Sequence, residues 1–226
     1  MSMEAPRRLQ CPGMEGLPHG RHGNSLPARE GRAMETIILA SGSPRRRELL
    51  TKVKLPLKVI PPNVPENYSL AEPVTEMVKR IARSKVEAIL EAFKTESPRW
   101  VLGLDTVVEI DGRVLGKPAG PEEAEAMLRT LSGRVHRVYS GIALLVERSR
   151  PIEQEAVCTE VKFRAMDAAE IRFYVESGEW AGAAGAYRIQ ERGAFLVEWI
   201  RGSYSNVVGL PLEAFYGILV RNEYQF

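Results

Sequence analysis

Thr36-Ile37-Ile38-Leu39-Ala40-Ser41-Gly42-Ser43-Pro44-Arg45-Arg46-Arg47-Glu48-Leu49-Leu50 is the stretch on which the fold turns. Thr36 to Ala40 reads as a buried strand. Ser41-Gly42 makes a short loop. Ser43 suits a helix N-cap and Pro44 the first helical position, so a helix should run to about Leu50. Three arginines then fill the first turn, where the helix macrodipole favours carboxylates. Strand, glycine loop and helix N-terminus together form an anion site, and the arginines make sense if a phosphate sits there. A solvated basic turn beside Glu48 is the plainer alternative. No G-x-x-x-x-G-K-[ST] is present, so the loop is not a P-loop.

Working outward, Leu57–Ile60 suggests a second strand, followed by a loop with Pro61, Pro62 and Pro65. Pro73 to about Lys94 predicts a long helix. Trp100–Ile110 predicts a strand, Asp111-Gly112 a hairpin turn, and Val114-Leu115 the return strand. Pro121–Leu131 is a helix with Ala124, Met127, Leu128 and Leu131 on one face, closed by Gly133. Val135–Val146 and Glu155–Phe163 read as strands. Asp167 and Glu170 form a capping box for a helix that Gly178 ends. Gly185–Gln190 and Ala194–Ile200 are strand-like, a Gly/Ser loop follows, and Pro211–Val220 is the closing helix. Strands interleaved with helices indicate an α/β fold with a mixed sheet. The sequence shows no internal repeats.

The chain has 226 residues, enough for one ordinary or two-lobed domain with a sizeable core. Apolar residues at 44% and charged residues at 27% give a globular balance. No run approaches the roughly 18 apolar residues of a membrane helix. Lys and Arg number 31 against 29 Asp and Glu, which gives no support to a broad nucleic-acid-binding face. Cys11 and Cys158 cannot make a disulfide framework, and three histidines argue against a histidine-built metal centre. Any metal should have oxygen ligands. Residues 1–33 carry five Gly, four Pro and five Arg against three Glu, which is the whole net charge of +2. That segment has no apolar h-region, so it is not a signal peptide, and its composition predicts disorder. The ordered body is expected at 34–226, with Met34 as a candidate start.

Three further places hold chemistry-bearing residues in conspicuous positions. Lys85 falls inside the apolar stripe of the long helix, beside Val78, Ile81 and Ile89, so it either snorkels outward or points into a polar cleft. Asp105 sits in an apolar strand on the face opposite Leu102, Leu104, Thr106 and Val108. A carboxylate there is costly unless paired, hydrogen-bonded or metal-bound, which points to function, with a buried structural hydrogen-bond acceptor as the plainer alternative. The hairpin can bring Lys117 of Leu115-Gly116-Lys117-Pro118 back toward Asp105. Finally, Ala184-Gly185-Ala186-Tyr187-Arg188-Ile189-Gln190 and Gly202-Ser203-Tyr204-Ser205-Asn206-Val207-Val208-Gly209-Leu210-Pro211 offer small residues for close backbone approach, and Gln190 has both a donor and an acceptor. His136 is expected to satisfy a local hydrogen bond and Cys158 to pack in a strand.

These segments, with Leu131-Ser132-Gly133-Arg134 and His136, resemble in sequence and order the Maf family of nucleoside triphosphate pyrophosphatases, from about Thr36 to Val220. The resemblance implies a mixed α/β fold of two lobes flanking a cleft, similar to inosine triphosphate pyrophosphatases. It implies a cytoplasmic enzyme that hydrolyses a nucleoside triphosphate to monophosphate and pyrophosphate with a divalent metal, Mg²⁺ or Mn²⁺. It admits a homodimer, and implies neither nucleic acid nor membrane as partner. Carried over by position, Asp105 is the proton acceptor; Arg45, Thr106 and Gln190 set base specificity; Ser41, Arg46, Lys85 and Lys117 face phosphate; Glu66, with Asp105, is a metal-binding or cleft acid. The glutamine at 190 looks like the dTTP/UTP branch, whereas the 7-methyl-GTP branch carries Glu there.

Three positions depart from the family's pattern. Pro65 replaces an acidic residue before Glu66, which weakens a two-carboxylate metal site there. Gly182-Ala183 replaces Asp-Lys, and Gly103-Leu104 before Asp105 reads as packing variation. A 7-methyl-GTP or broad-specificity pyrophosphatase, and a non-catalytic nucleotide sensor acting on cell division, are the competing readings. Asp105, Lys85 and Lys117 together favour an enzyme.

Overall fold

The computed structural model describes residues 33–69, 71–94 and 98–226. The extension expected at 1–33 falls, residue 33 apart, outside them. The described residues form β1 (Ile37–Ala40), α1 (Pro44–Lys52), β2 (Leu57–Val59), α2 (Val74–Ala92), β3 (Val101–Ile110) and β4 (Arg113–Leu115). Then come α3 (Pro121–Leu131), β5 (Val135–Leu145), β6 (Glu153–Phe163), α4 (Ala168–Glu176), β7 (Val197–Arg201), α5 (Tyr204–Val208) and α6 (Leu212–Arg221). One mixed sheet runs β2-β1-β3-β5-β6-β7, with β4 on β3. β1 is parallel to β2 and β3, and the other pairings are antiparallel.

The local chemistry explains most boundaries. Asp111 and Gly112 take φ of 53° and 73°, which is the backbone a two-residue hairpin between β3 and β4 needs. Asp167 accepts from Ala169 N and Glu170 N, and Glu170 reaches back to Asp167 N, so the capping box is complete. Two expected strands are corrected. Within 185–190 the backbone instead makes a 3-10 turn at Ala184–Ala186, with Gly185 and Ala186 at φ of 67° and 62°. Left-handed backbone cannot continue a β ladder, so apolar character at Tyr187 and Ile189 reports burial rather than pleat. Likewise Arg192–Leu196 is a 3-10 turn and the strand begins only at Val197. The Gly/Ser loop contains α5, capped by Ser203 Oγ, which accepts from Asn206 N.

β3 is the axis of the molecule. Its even residues face two clusters: Leu102 and Leu104 pack with Phe215, Ile218 and Leu219 of α6, while Val108 and Ile110 pack with Leu128 and Leu131 of α3 and Ile171 of α4. Each such fully buried aliphatic side chain contributes roughly 1.5–3 kcal/mol. Thr106 lies between the two clusters along β3. The odd face meets α2, through Val101 with Val86 and Ile89, and Val107 with Met77, Val78 and Ile81. That contact is unusually close. A Cβ built on Gly103 would lie 2.1 Å from Ala82 O, and one on Gly141 would lie 2.2 Å from Val78 O. Gly103 is thus the notch into which α2 sits, while Leu104 beside it is fully buried core.

The site follows from a break in pairing. β1 pairs with β3 only as far as Ala40 with Gly103, and β4 begins only at Leu115 with Val108. β5 covers the other edge of β3 throughout, from Val101 to Glu109. Between β1 and β4 the edge of β3 from Leu104 to Val107 is open, just beyond the C-terminal end of a parallel strand. Crevices at such strand ends are where open α/β sheets bind ligands.

Candidate active site

A cavity of about 520 Å³ occupies this break. It is lined by the Ala40–Arg46 loop and first turn, by Pro61, Pro62, Val64 and Glu66 of the proline-rich loop, and by Lys85, Thr106, Val108, Lys117 and Val138. The 181–190 segment and Val207–Gly209 close it. Leu104 O is the centre of the polar arrangement, because it accepts from cations on both faces of the sheet: Arg46 Nη1 and Lys85 Nζ, each at 3.1 Å.

On the α2 face, Lys85 is 5% exposed and points inward, so it does not snorkel. Its Nζ donates to Asp105 Oδ1 and Glu66 Oε1, both at 2.8 Å, besides Leu104 O, and these three bonds use all its protons. Glu66 Oε2 accepts from Lys117 Nζ at 2.7 Å and Tyr68 OH at 3.1 Å. Burial raises the Glu66 pKa, but Lys85 and Lys117 outweigh it and hold the group at about 2. Lys117 therefore meets Glu66 rather than Asp105, which corrects the expected hairpin contact. Asp105 is 2% exposed and stands one layer behind the cavity wall. Its Oδ2 is buried without a partner, a costly state for a carboxylate oxygen.

On the opposite face Arg46 is buried and spends itself on neutral oxygens. Nε donates to Gly209 O at 2.8 Å, Nη1 to Ser41 Oγ at 2.9 Å as well as Leu104 O, and Nη2 to Thr106 Oγ1 at 2.9 Å. Burial lowers its pKa, against the pull of Asp105 and Glu66. Arg46 is thus a buried cation without a carboxylate in ion-pair range among the described residues, and it builds the cavity floor more than it reaches outward. Ser43 occupies the N-cap of α1 and Pro44 its first turn, as expected, but the Ser43 side chain makes no capping bond, and Ser43 lines the cavity. Arg45 reaches across to Gly182 O at 3.0 Å.

Sequence reading did not single out a buried chain of hydroxyls behind Thr106. Thr106 Oγ1 lies 2.8 Å from Ser140 Oγ, which donates to Asn206 O. Asn206 Nδ2 donates to Val138 O and Thr159 Oγ1. Ser140, Thr159 and Asn206 are all fully buried. Alternation within β5 and β6 was the available signal, since it puts Ser140 and Thr159 on apolar faces. His136 also belongs to the inner shell. Its Nε2 is 2.9 Å from Tyr187 OH, and burial pushes its pKa down to about 3, so the ring is neutral. Gln190 lines the cavity with both amide atoms hidden from solvent and unpartnered.

The structure brings Ser41, Arg45, Arg46, Glu66, Lys85, Thr106, Lys117 and Gln190 onto one cavity, with Asp105 behind it. A family model described as Maf-like protein matches residues 36–222. The chain belongs to the Maf family. A curated Maf relative from Thermococcus onnurineus, named dTTP/UTP pyrophosphatase, is 47% identical over 177 residues, covering 78% of this chain and 92% of the relative. Relatives of the same name from Clostridium acetobutylicum and Myxococcus xanthus are 41% and 43% identical, covering 81% and 82% of this chain and 96% and 91% of theirs. A solved HAM1 protein from Coxiella burnetii covers 83% of this Maf chain and all of its own, with a TM-score of 0.46 and 20% identity. Among the described residues of this Maf protein, no helix is long and apolar enough to cross a membrane.

Proposed function

We propose that this Maf protein hydrolyses dTTP and UTP to the nucleoside monophosphate and pyrophosphate. The observation that carries the reading is the paired arrangement around Leu104 O: one cation from each face of the sheet, with Asp105 next to it in sequence and bonded to Lys85. Such a site offers positive charge to a polyanion and a carboxylate to a water. The relatives named dTTP/UTP pyrophosphatase, covered over nearly all their length, support it.

Lys85 is held by Glu66 and Asp105, and Lys117 by Glu66. A triphosphate entering the cavity competes for those ammonium groups and loosens the carboxylates. The α-phosphate lies near Lys85, with Ser41, Ser43 and the N-terminus of α1 donating to phosphate oxygens. Asp105 Oδ2, buried without a hydrogen-bond partner, takes a proton from water as that water attacks the α-phosphorus, once loosening of the Lys85 and Glu66 contacts opens the cavity wall in front of it. The bond from the α-phosphorus to the bridging oxygen breaks and pyrophosphate leaves. Thr106 and Gln190 read the base. The unpartnered Gln190 amide accepts from the N3–H of uracil or thymine and donates to a ring carbonyl, after a small outward shift that exposes it.

A divalent cation, Mg²⁺ or Mn²⁺, fits the residues present. The carboxylates of Asp105 and Glu66 are oxygen donors suited to a hard cation, and one or two carboxylates plus substrate phosphates is the donor set Mg²⁺ commonly takes. Among the described residues no group of three or more His, Cys, Asp or Glu forms a metal cage of protein ligands alone. When bound, such an ion would neutralise phosphate charge and acidify water.

The test incubates the full chain with dTTP, UTP, CTP, ATP, GTP and 7-methyl-GTP, with Mg²⁺ or Mn²⁺, and follows pyrophosphate. Release from dTTP and UTP, abolished in Asp105→Asn, is expected. Single phosphate as product, or full activity in Asp105→Asn, would refute the reading.

A further inference from the structure

Thr106 and Ser140 stand directly opposite each other on β3 and β5, and their hydroxyl oxygens lie 2.8 Å apart. Thr106 lines the cavity, whereas Ser140 is fully buried behind it. Thr106 Oγ1 also accepts from Arg46 Nη2 at 2.9 Å and lies 3.4 Å from Gly209 O. Ser140 Oγ lies 3.3 Å from Asn206 O. A hydroxyl has one proton to give, so two arrangements satisfy this cluster. Either Thr106 donates to Ser140, which donates to Asn206 O, or Ser140 donates to Thr106, which donates to Gly209 O. In both, the Thr106 proton is spent inside the protein. Arg46 occupies one lone pair of Oγ1, and only the first arrangement leaves the second lone pair for a ligand. Toward the cavity, then, Thr106 can accept a hydrogen bond and cannot give one.

Gln190 has no such fixed polarity. Its Oε1 and Nε2 are both buried without a partner among the described residues, so no hydrogen bond chooses between its two amide orientations. One orientation accepts from the N3–H of uracil or thymine and donates to a ring carbonyl. The other donates to the bare N3 of cytosine and accepts from its amino group. An amide that can turn does not by itself tell these bases apart. The base edge of uracil or thymine carries a single donor, N3–H, because N1 bears the sugar. An acceptor-only Thr106 can meet those bases only there, sharing N3–H with Gln190 Oε1 in a three-centre bond. Cytosine has no proton at N3 and would set a lone pair against the Thr106 oxygen.

We propose that Ser140 is a specificity-determining positioning residue: it draws the Thr106 proton away from the cavity and so makes the site select uracil and thymine, which carry N3–H, over cytosine. The proposal rests on the pyrophosphatase reading above and keeps Thr106 and Gln190 as the groups that touch the base. A site built to pair with a donor rejects a base lacking it, because its own polar group is left unpaired. Without Ser140, the Thr106 proton has only the 3.4 Å contact to Gly209 O and can turn to cytosine N3 instead.

The experiment compares the full chain with Ser140→Ala, Ser140→Cys, Ser140→Thr and Thr159→Val. Pyrophosphate release is measured with UTP, dTTP, CTP and dCTP, and calorimetric titration uses UMP and CMP. The wild-type chain should prefer UTP to CTP and UMP to CMP. In Ser140→Ala the UTP-to-CTP ratio of kcat/KM should fall by roughly tenfold, the scale of one mismatched buried hydrogen bond, chiefly because CTP improves. The UMP-to-CMP affinity ratio should fall with it. Ser140→Cys, a weaker donor and acceptor of similar size, should shift both ratios the same way, so it reports even if the alanine variant is unstable. Ser140→Thr keeps the hydroxyl and should keep the ratios. Thr159→Val removes a buried hydroxyl that bonds Asn206 rather than Thr106, so it should lower stability and leave the ratios as they were. A merely structural role for Ser140 would lower activity on all these nucleotides alike. Unchanged ratios in Ser140→Ala and Ser140→Cys, or an equal fall in Thr159→Val, overturn the proposal, as does a wild-type chain with no preference for UTP over CTP. A wild-type chain that releases no pyrophosphate from any nucleotide would instead sink the enzyme reading, and the UMP and CMP titrations would then decide the proposal by the same outcomes.

Discussion

Replacing Gly103 by Ala should damage stability and catalysis together, through one methyl group. The added Cβ would stand 2.1 Å from Ala82 O and 2.8 Å from Val86 Cγ2. The first neighbour is helix backbone, so no side-chain rotation relieves it. To restore ordinary contact α2 must retreat by roughly 1 Å or more. Overpacking of this kind costs typically about 1–3 kcal/mol, and a backbone neighbour on a long buried helix puts it toward the upper end. For a domain of this size that is a fall of roughly 5–10 °C in Tm. The same retreat carries Lys85 away from Asp105 Oδ1, now 2.8 Å distant, and from Leu104 O at 3.1 Å. A misplacement of about 1 Å at a reacting centre can cost on the order of 100-fold in rate. Differential scanning calorimetry and single-turnover pyrophosphate release from dTTP measure the two effects. A variant that keeps both the wild-type Tm and the wild-type rate would refute the claim that the notch sets the depth of α2 and hence the position of Lys85.

The opposite sign is expected at Gly217→Ala, in the middle of α6. Its Cβ meets only the flexible end of Arg221, at 3.3 Å, so helix propensity should dominate and raise stability by about 0.5–1 kcal/mol in urea unfolding. Lys85→Met leaves Asp105 and Glu66 without the ammonium between them and should cost about 3–5 kcal/mol. Lys85→Met with Asp105→Asn should lose less than the two single variants together, and strict additivity in a double-mutant cycle would count against the pairing. Acid should destabilise the protein through two groups. His136 has a folded pKa of about 3, below its unfolded value near 6.5, so its contribution is lost as pH falls from about 6.5 toward 3. Glu66, at about 2 when folded against about 4.5 unfolded, adds a loss below about pH 4.5. Stability measured against pH should flatten above pH 5 in His136→Gln and below pH 4.5 in Glu66→Gln, and an unchanged profile in both variants would contradict these assignments.

The elements legible in the sequence were those whose signals are local. Asp167 with Glu170, Asp111-Gly112, and the apolar periodicity of α2 and α3 each act within a few residues, and each produced the expected element. The segment 184–196 was misread because Tyr187 and Ile189 are apolar for burial's sake, while the left-handed turn at Gly185 and Ala186 depends on packing against Val108. The sequence also showed that Lys85 and Asp105 were in costly positions, since a charge inside an apolar stripe or strand must be repaid.

By itself, then, the sequence determined a mixed α/β chain of the Maf family and marked which charges needed partners. Which partner each found was decided only by tertiary structure. Lys85 and Asp105 are twenty residues apart, and they meet because Gly103 lets α2 lie close on β3. Lys117 turned to Glu66 because the proline-rich loop crosses in front of it. Arg46 was drawn to Leu104 O because β1 stops where β3 continues, leaving that carbonyl exposed at a sheet edge, and to Gly209 O at the C-terminal end of α5. Hydrogen bonds and ion pairs act over a few ångströms, so they are set by where the chain returns in space, and that is settled by the summed packing of the whole domain.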